Sequence, residues 1–184
     1  VYLKGGSQCL YWGDCKERWC DETSLMTSLG HGPSQHRDGM LNPNLQGNAF
    51  AGWNHVYVPY CTSDLHSGTG DSSLMVDPDG EGPSYTAHFR GHHVLNAVMD
   101  VLEAGAVSDD GTETLPPIAE ADLVLFSGSS AGAGGVALNL DRFAARFSDL
   151  DVRGVIDSHG APQPEHFTEE GSGTAATFGV DYLE

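Results

Sequence analysis

Along most of this chain apolar residues come in short runs, separated by long stretches rich in Gly, Asn, Ser and Pro. Val1 to Lys4 reads as a short strand that runs into Gly5-Gly6. Residues 7–52 are irregular, with one short helix expected near Thr23–Leu29. His55 to Tyr60 (HVYVPY) is β-branched and aromatic, which predicts a strand. A polar loop follows, with Asp77-Pro78-Asp79-Gly80-Glu81 near its middle. From Thr86 to Ala104 the pattern changes. Phe89, Val94, Leu95, Val98 and Leu102 recur at three- and four-residue steps, which predicts an amphipathic helix stopped by Gly105. An acidic loop over 108–117 ends in Pro116-Pro117. Asp122 to Phe126 (DLVLF) predicts a buried strand, Val136, Leu140, Phe143, Ala144 and Phe147 a second helix, and Val152 to Ile156 a last strand. The tail from Gly160 is polar and loop-like.

The predicted order is β, long loop, β, α, β, α, β. Strands alternating with helices imply an α/β fold, a mostly parallel sheet with helices on both faces. Such sheets bind ligands in the loops after the carboxyl ends of their strands. No internal repeat is present.

Composition sharpens this picture in two places. With 26 acidic against 8 basic residues in 184, the net charge is −18. That surface repels nucleic-acid phosphates and anionic lipid, so nucleic acid is not an expected partner. No run approaches the roughly 20 apolar residues needed to span a bilayer. The four cysteines, Cys9, Cys15, Cys20 and Cys61, all lie in the first third. Their spacing lacks the Cys-x-x-Cys pairs of a zinc site, so disulfides and a secreted, extracellular setting are expected, and no metal or other cofactor. Three connectivities are open.

The candidate chemistry sits between the 122–127 strand and the helix that follows. Gly128-Ser129-Ser130-Ala131-Gly132 is G-x-S-x-G in a strand–turn–helix context. The turn is so tight that the residues two before and two after the serine must be small, which Gly128 and Gly132 satisfy. Ser130 is then held clear of the sheet at the positive end of a helix, where a developing oxyanion is stabilised. A phosphate loop would want Gly-Lys-Ser/Thr, which is absent. The N–H of Ala131 supplies one oxyanion donor, and Gly5-Gly6-Ser7, after the first strand, stands where the second donor loop belongs. In an α/β-hydrolase sheet these two loops follow strands three and five. Here they follow the first and third strands seen, so strands three to six are expected, without the first two and the last two.

Other polar groups are weaker candidates. Asp157 ends a strand beside the nucleophile strand, and with His159 or His166 it would complete a local triad. An offset of two from Asp157 to His159 is a poor separation for two groups meeting at one serine, so Asp157 is expected in the wall of the site. Asp64 and His66 follow a strand on the ligand side and are expected to line the cleft. His92-His93 point about 100° apart on a helix and do not make a metal pair. Asp77-x-Asp79-Gly80-Glu81 resembles only half a calcium loop.

Several of these segments together resemble the pectin acetylesterase and Notum group of carboxylesterases. Gly128-Ser129-Ser130-Ala131-Gly132 followed by Asn139 and Asp141 is similar to the family's nucleophile segment. Leu3-Lys4-Gly5-Gly6 with Cys9 is similar to its oxyanion stretch. Trp53-Asn54, Val56 to Cys61, Asp64 and Ser67-Gly68 resemble a second block, and Phe89-Arg90-Gly91 and Asp157-Ser158 resemble two more. The match covers most of residues 1–160. It implies a serine carboxylesterase acting on O-acyl esters of an acylated carbohydrate or acylated protein, with Gly6, Ser7 and Ala131 as oxyanion donors. It also implies a Cys9–Cys15 bridge, which leaves Cys20–Cys61 as the residual pair. The triad acid and histidine are implied to lie downstream, beyond Glu184. Ser7 and Gln8 depart from the bulky aromatics expected at their positions. The chain therefore reads as one partial α/β-hydrolase domain over 1–184: oxyanion strand and loop 1–6, Cys-containing loops 7–52, core with elbow 53–160, and tail 161–184. The alternative is a non-catalytic extracellular structural or binding module that keeps the fold.

Overall fold

A computed structural model of the chain describes residues 1–21, 26–28 and 39–158, the side chains of Cys20 and Asp21 excepted. Four parallel strands make the central sheet: β1 (Tyr2–Leu3), β2 (Tyr57–Val58), β7 (Val124–Ser129) and β8 (Val152–Asp157), in the order β2-β1-β7-β8. Leu3 pairs with Val58 on one side and Gly128 on the other, and β7 runs in register with β8 from Val124↔Val152 to Ser129↔Asp157. Strand β7 is the longest of the inner strands and carries a nearly continuous buried run, as a strand covered on both faces requires. Because β1 and β7 are parallel neighbours, the loops that leave their carboxyl ends emerge side by side. That adjacency brings Gly5-Gly6 to Ser130. Among the described residues β2 and β8 have no partner on their outer edges.

Helices α2 (Gly91–Ala104) and α3 (Ala131–Arg146) share one core with the sheet. The buried residues of α2, Gly91, Leu95, Met99 and Leu102, fall on one face at helical spacing. In α3, Phe143 stacks on Phe126 of β7 with ring centroids 4.4 Å apart. Arg142 and Arg146 of α3 reach across to Asn96 and to Asp100 and Glu103 of α2, fixing the two helices side by side. Gly105, at φ 73°, stops α2 as expected, and a side chain there would meet the Leu115 carbonyl.

Three expectations need correction. The helix does not begin at Thr86. Residues Tyr85–Phe89 form strand β4, paired antiparallel with β3 (Gly70–Met75), and α2 starts only at Gly91. The local period is two, with Ala87 buried between exposed Thr86 and His88, and Phe89 belongs to that alternation. The polar loop around Asp77 is therefore the connection of a β-hairpin. The acidic loop likewise contains a small hairpin, β5 (Ala106–Val107) with β6 (Thr114–Leu115). Third, the irregular first segment holds a helix, α1 (Trp12–Lys16), continued by a π-helical turn over Glu17–Asp21. Of the helix expected near Thr23–Leu29 only residues 26–28 are described, and they are not helical; the tail from residue 159 lies outside the described residues.

The β3–β4 hairpin and the cysteine segment build a second, smaller core of Cys9, Cys15, Met26 and Ala87. Trp12 donates from Nε1 to the Pro83 carbonyl at 3.0 Å, and the Tyr85 hydroxyl donates to the Trp12 carbonyl at 2.6 Å. The hairpin thus braces α1 against the main sheet's loop edge. A cavity of about 430 Å³, lined by Val1, Val56, Leu102, Ile118 and Val124 among others, opens at the amino ends of the strands, away from Ser130.

Candidate functional site

Strand β7 continues through Gly128 and Ser129 and turns at Ser130 directly into α3. Ser130 takes φ 56° and ψ −123°, a conformation that an L-residue holds only at a cost of about 1–3 kcal/mol. The neighbouring backbone holds it there. The Ser130 N–H donates to the Asp157 carbonyl at 3.0 Å, and the Gly134 N–H donates to the Ser130 carbonyl at 3.1 Å. The side chain is exposed, with no hydrogen-bond partner among the described residues.

The small residues around it are sterically required. A Cβ on Gly132 would overlap the Leu3 carbonyl oxygen and stand 2.8 Å from its carbon; one on Gly128 would run into the Gly132 carbonyl. A Cβ on Gly5 would strike the Ser129 carbonyl and lie 3.0 Å from Ser130 Cβ. The first turn of α3, the elbow and the Lys4–Gly6 loop are therefore in direct contact. Gly6 and Ser7 follow with φ 152° and 61°. The N–H groups of Gly6, Ser7 and Ala131 have no acceptor among the described residues. Ala131 is the first residue of α3, where such orphan donors and the helix dipole add up. A hydroxyl beside free amide donors is an arrangement that can attack a carbonyl and receive the resulting oxyanion.

A layer of side chains supports the loop from behind. His66 is buried, with Nε2 donating to the Lys4 carbonyl at 2.9 Å and its ring against Tyr60. Burial holds its pKa below the usual histidine value, against the opposing pull of the Lys4 carbonyl and Asp64. The Asp64 carboxylate accepts from Thr62 Oγ1 at 2.6 Å and from the Gly91 N–H at 2.7 Å, so it anchors the start of α2. Neither side chain is displayed toward an open cleft: His66 is turned under the Lys4–Gly6 loop, and Asp64 into the α2 terminus. Ser63, Leu65 and His66 all have φ between 53° and 56°, a concentration of strained backbone beside the site. Tyr60 accepts the Leu65 N–H at its hydroxyl, and burial pushes that hydroxyl's pKa well above the ordinary range.

Two partners, Arg18 and Ser63, escaped sequence reasoning. Arg18, in the π-helical turn, is 8% exposed; its Nη2 donates to the Gly6 carbonyl at 2.5 Å and its Nε to Ser63 Oγ at 2.8 Å. Its only advance signal was being one of 8 basic residues in an acidic chain, placed between cysteines. Asp157 is brought to the elbow through its carbonyl. Its carboxylate is exposed and accepts from Ser158 Oγ at 3.1 Å. Cys9 and Cys15 are joined, with Cα atoms 4.9 Å apart. Cys61 is a free thiol whose pKa burial raises; the side chain of Cys20, the residual partner expected for it, lies outside the described residues. His159 and His166 also lie outside them. Among the described residues no group of acidic, His and Cys side chains is placed to hold a metal ion.

A parallel sheet with a serine at its strand-to-helix elbow defines an α/β-hydrolase-like protein. The pectinacetylesterase family model matches residues 1–161, and the chain belongs to that family. It is 33% identical over 167 residues to the palmitoleoyl-protein carboxylesterase NOTUM of Drosophila melanogaster, covering 86% of this chain and 22% of that protein. It is 34% identical over 165 residues to notum1' of Xenopus laevis, covering 86% of this chain and 30% of that protein. The crystal structure of the Wnt deacylase Notum from Drosophila superposes with a TM-score of 0.66 at 31% identity, over 95% of this chain and 48% of that one. The chain thus spans less than a third of the length of these curated relatives.

Proposed function

We propose that this chain carries the nucleophile and oxyanion donors of a serine carboxylesterase that cleaves O-acyl esters. The observation that carries the reading is the strained, exposed Ser130 at the elbow, packed against the Gly5–Ser7 loop with free amides on both sides. The hydroxyl attacks the ester carbonyl, the oxyanion is received by N–H groups of Gly6, Ser7 and Ala131, and the alcohol leaves from an acyl-enzyme on Ser130. Water then releases the acyl group and restores the serine. No described histidine is hydrogen-bonded to Ser130, and the reading takes its general base and acid from the downstream segment that the family resemblance implies.

The relatives named for palmitoleoyl-protein cleavage and the pectinacetylesterase family name support an acylated protein or an acylated carbohydrate as substrate class. The Cys9–Cys15 bridge fits an extracellular setting. No described helix is long and apolar enough to cross a membrane. The test is made on the full-length protein with a fluorophosphonate probe and an ester substrate. Ser130 is expected to be labelled, and Ser130→Ala to lower hydrolysis at least about a thousandfold. A full-length protein that is folded yet unlabelled would leave the binding-module alternative in its place.

A further inference from the structure

We infer that Arg18 is a positioning residue for the oxyanion donor of Ser7. The inference rests on the proposed esterase reading and assigns a role to a side chain far from the reacting atoms. Arg18 is buried, yet no carboxylate lies within ion-pair distance of it among the described residues. A buried cation without a counter-ion is costly unless its donors are used. Those donors go to two places, the Gly6 carbonyl at 2.5 Å and Ser63 Oγ at 2.8 Å.

The first of these contacts sets a direction. The Gly6 carbonyl and the Ser7 N–H belong to one planar peptide unit, and no peptide bond in the described chain is cis. The two groups therefore point opposite ways. Holding the oxygen toward the buried guanidinium turns the N–H toward the exposed side, where Ser130 stands and against which Gly5 is packed. The peptide needs such a hold, because its flanking residues sit at φ 152° and 61°, and a serine at positive φ relaxes readily if released.

The second consequence is electrostatic. Guanidinium, carbonyl and N–H form a line of aligned dipoles, and a charged donor on the carbonyl polarises the amide and strengthens its N–H as a donor. Arg18 itself is fixed at three points. Ser63 is fully buried and its carbonyl accepts the Cys9 N–H at 3.0 Å; the Cys9–Cys15 bridge closes the segment between the loop and α1; and the β3–β4 hairpin braces Trp12. The hairpin and disulfide, remote from the reaction, thereby connect to the oxyanion site through one side chain.

The experiment uses full-length protein, hydrolysis of p-nitrophenyl acetate, and titration of reactive serine with a fluorophosphonate so that rates are expressed per competent site. Arg18→Met is expected to lower kcat per site about 10- to 100-fold with KM changed less than about 3-fold, because the donor acts in the transition state. Its affinity for a boronic acid, a tetrahedral mimic, should fall by the same factor as kcat/KM. Arg18→Lys, which keeps one donor to the Gly6 carbonyl, should recover part of the loss, and Ser63→Ala should fall between wild type and Arg18→Met. A kcat per site within 2-fold of wild type in Arg18→Met overturns the inference, provided Ser130→Ala is inactive. Hydrolysis that survives in Ser130→Ala instead removes the esterase reading on which it rests. Where Arg18→Met does not fold, unchanged kcat per site and unchanged boronate affinity in both Arg18→Lys and Ser63→Ala overturn it.

Discussion

The two halves of the site are held in different ways. The elbow at Gly128–Gly132 is shaped by backbone against backbone: Gly132 on the Leu3 carbonyl, Gly128 on Gly132, and the Ser130 N–H on the Asp157 carbonyl. The Gly5–Ser7 loop, on the adjoining strand end, is held by side chains from elsewhere: His66 on the Lys4 carbonyl and Arg18 on the Gly6 carbonyl. The first half is specified by what its residues lack. The second depends on functional groups that must arrive from other parts of the chain. A site can thus combine a sterically fixed serine with a neighbouring loop that is held by hydrogen bonds.

That contrast can be broken from either side. The largest effect is expected on the elbow. Gly132→Val places a branched side chain inside the Leu3 carbonyl, and nothing but backbone can yield, so a loss of about 3 kcal/mol or more is expected in chemical denaturation of the full-length protein. A stable variant would mean that β1 and α3 are not in contact as described. On the loop side, His66→Leu keeps the bulk but leaves the buried Lys4 carbonyl without its donor. A cost of about 1–3 kcal/mol is expected, read as a shift in the denaturation midpoint.

The smallest effect is a pH dependence. Burial holds the folded His66 below its ordinary pKa of 6.5, so the unfolded chain takes up a proton first as pH falls. Stability from this residue is therefore complete above about pH 6.5 and is lost progressively below it. Denaturation midpoints measured down from pH 7.5 should decline in wild type and decline less steeply in His66→Leu. Equal slopes would show that His66 protonates as easily folded as unfolded.

The same contrast explains which parts of the molecule could be read in advance. The β7–α3 elbow was legible because its constraints are local: an apolar strand, small residues at fixed offsets, and a helical period after them. The Gly5–Ser7 loop could be placed through its position after a strand. The β3–β4 hairpin was missed because its strand residues Gly70–Met75 are polar on both sides of a weak alternation, and because Phe89 falls on both a two-residue and a helical spacing. His66 and Asp64 are expected to line a cleft, whereas the fold turns them inward, onto the Lys4 carbonyl and the start of α2. Arg18 and Ser63 carry no local signature, since an isolated arginine and serine look like surface residues until the chain is folded.

What the amino-acid order determined alone is the alternation of strands and helices, the tight serine turn, and the need for glycine on both sides of it, because these follow from short-range sterics and periodicity. Tertiary structure decided which loops meet, through the parallel pairing of Leu3 with Gly128. It also decided which buried side chains hold the Gly5–Ser7 loop. Those contacts join residues far apart in the chain, and their energies exist only once the strands between them have paired.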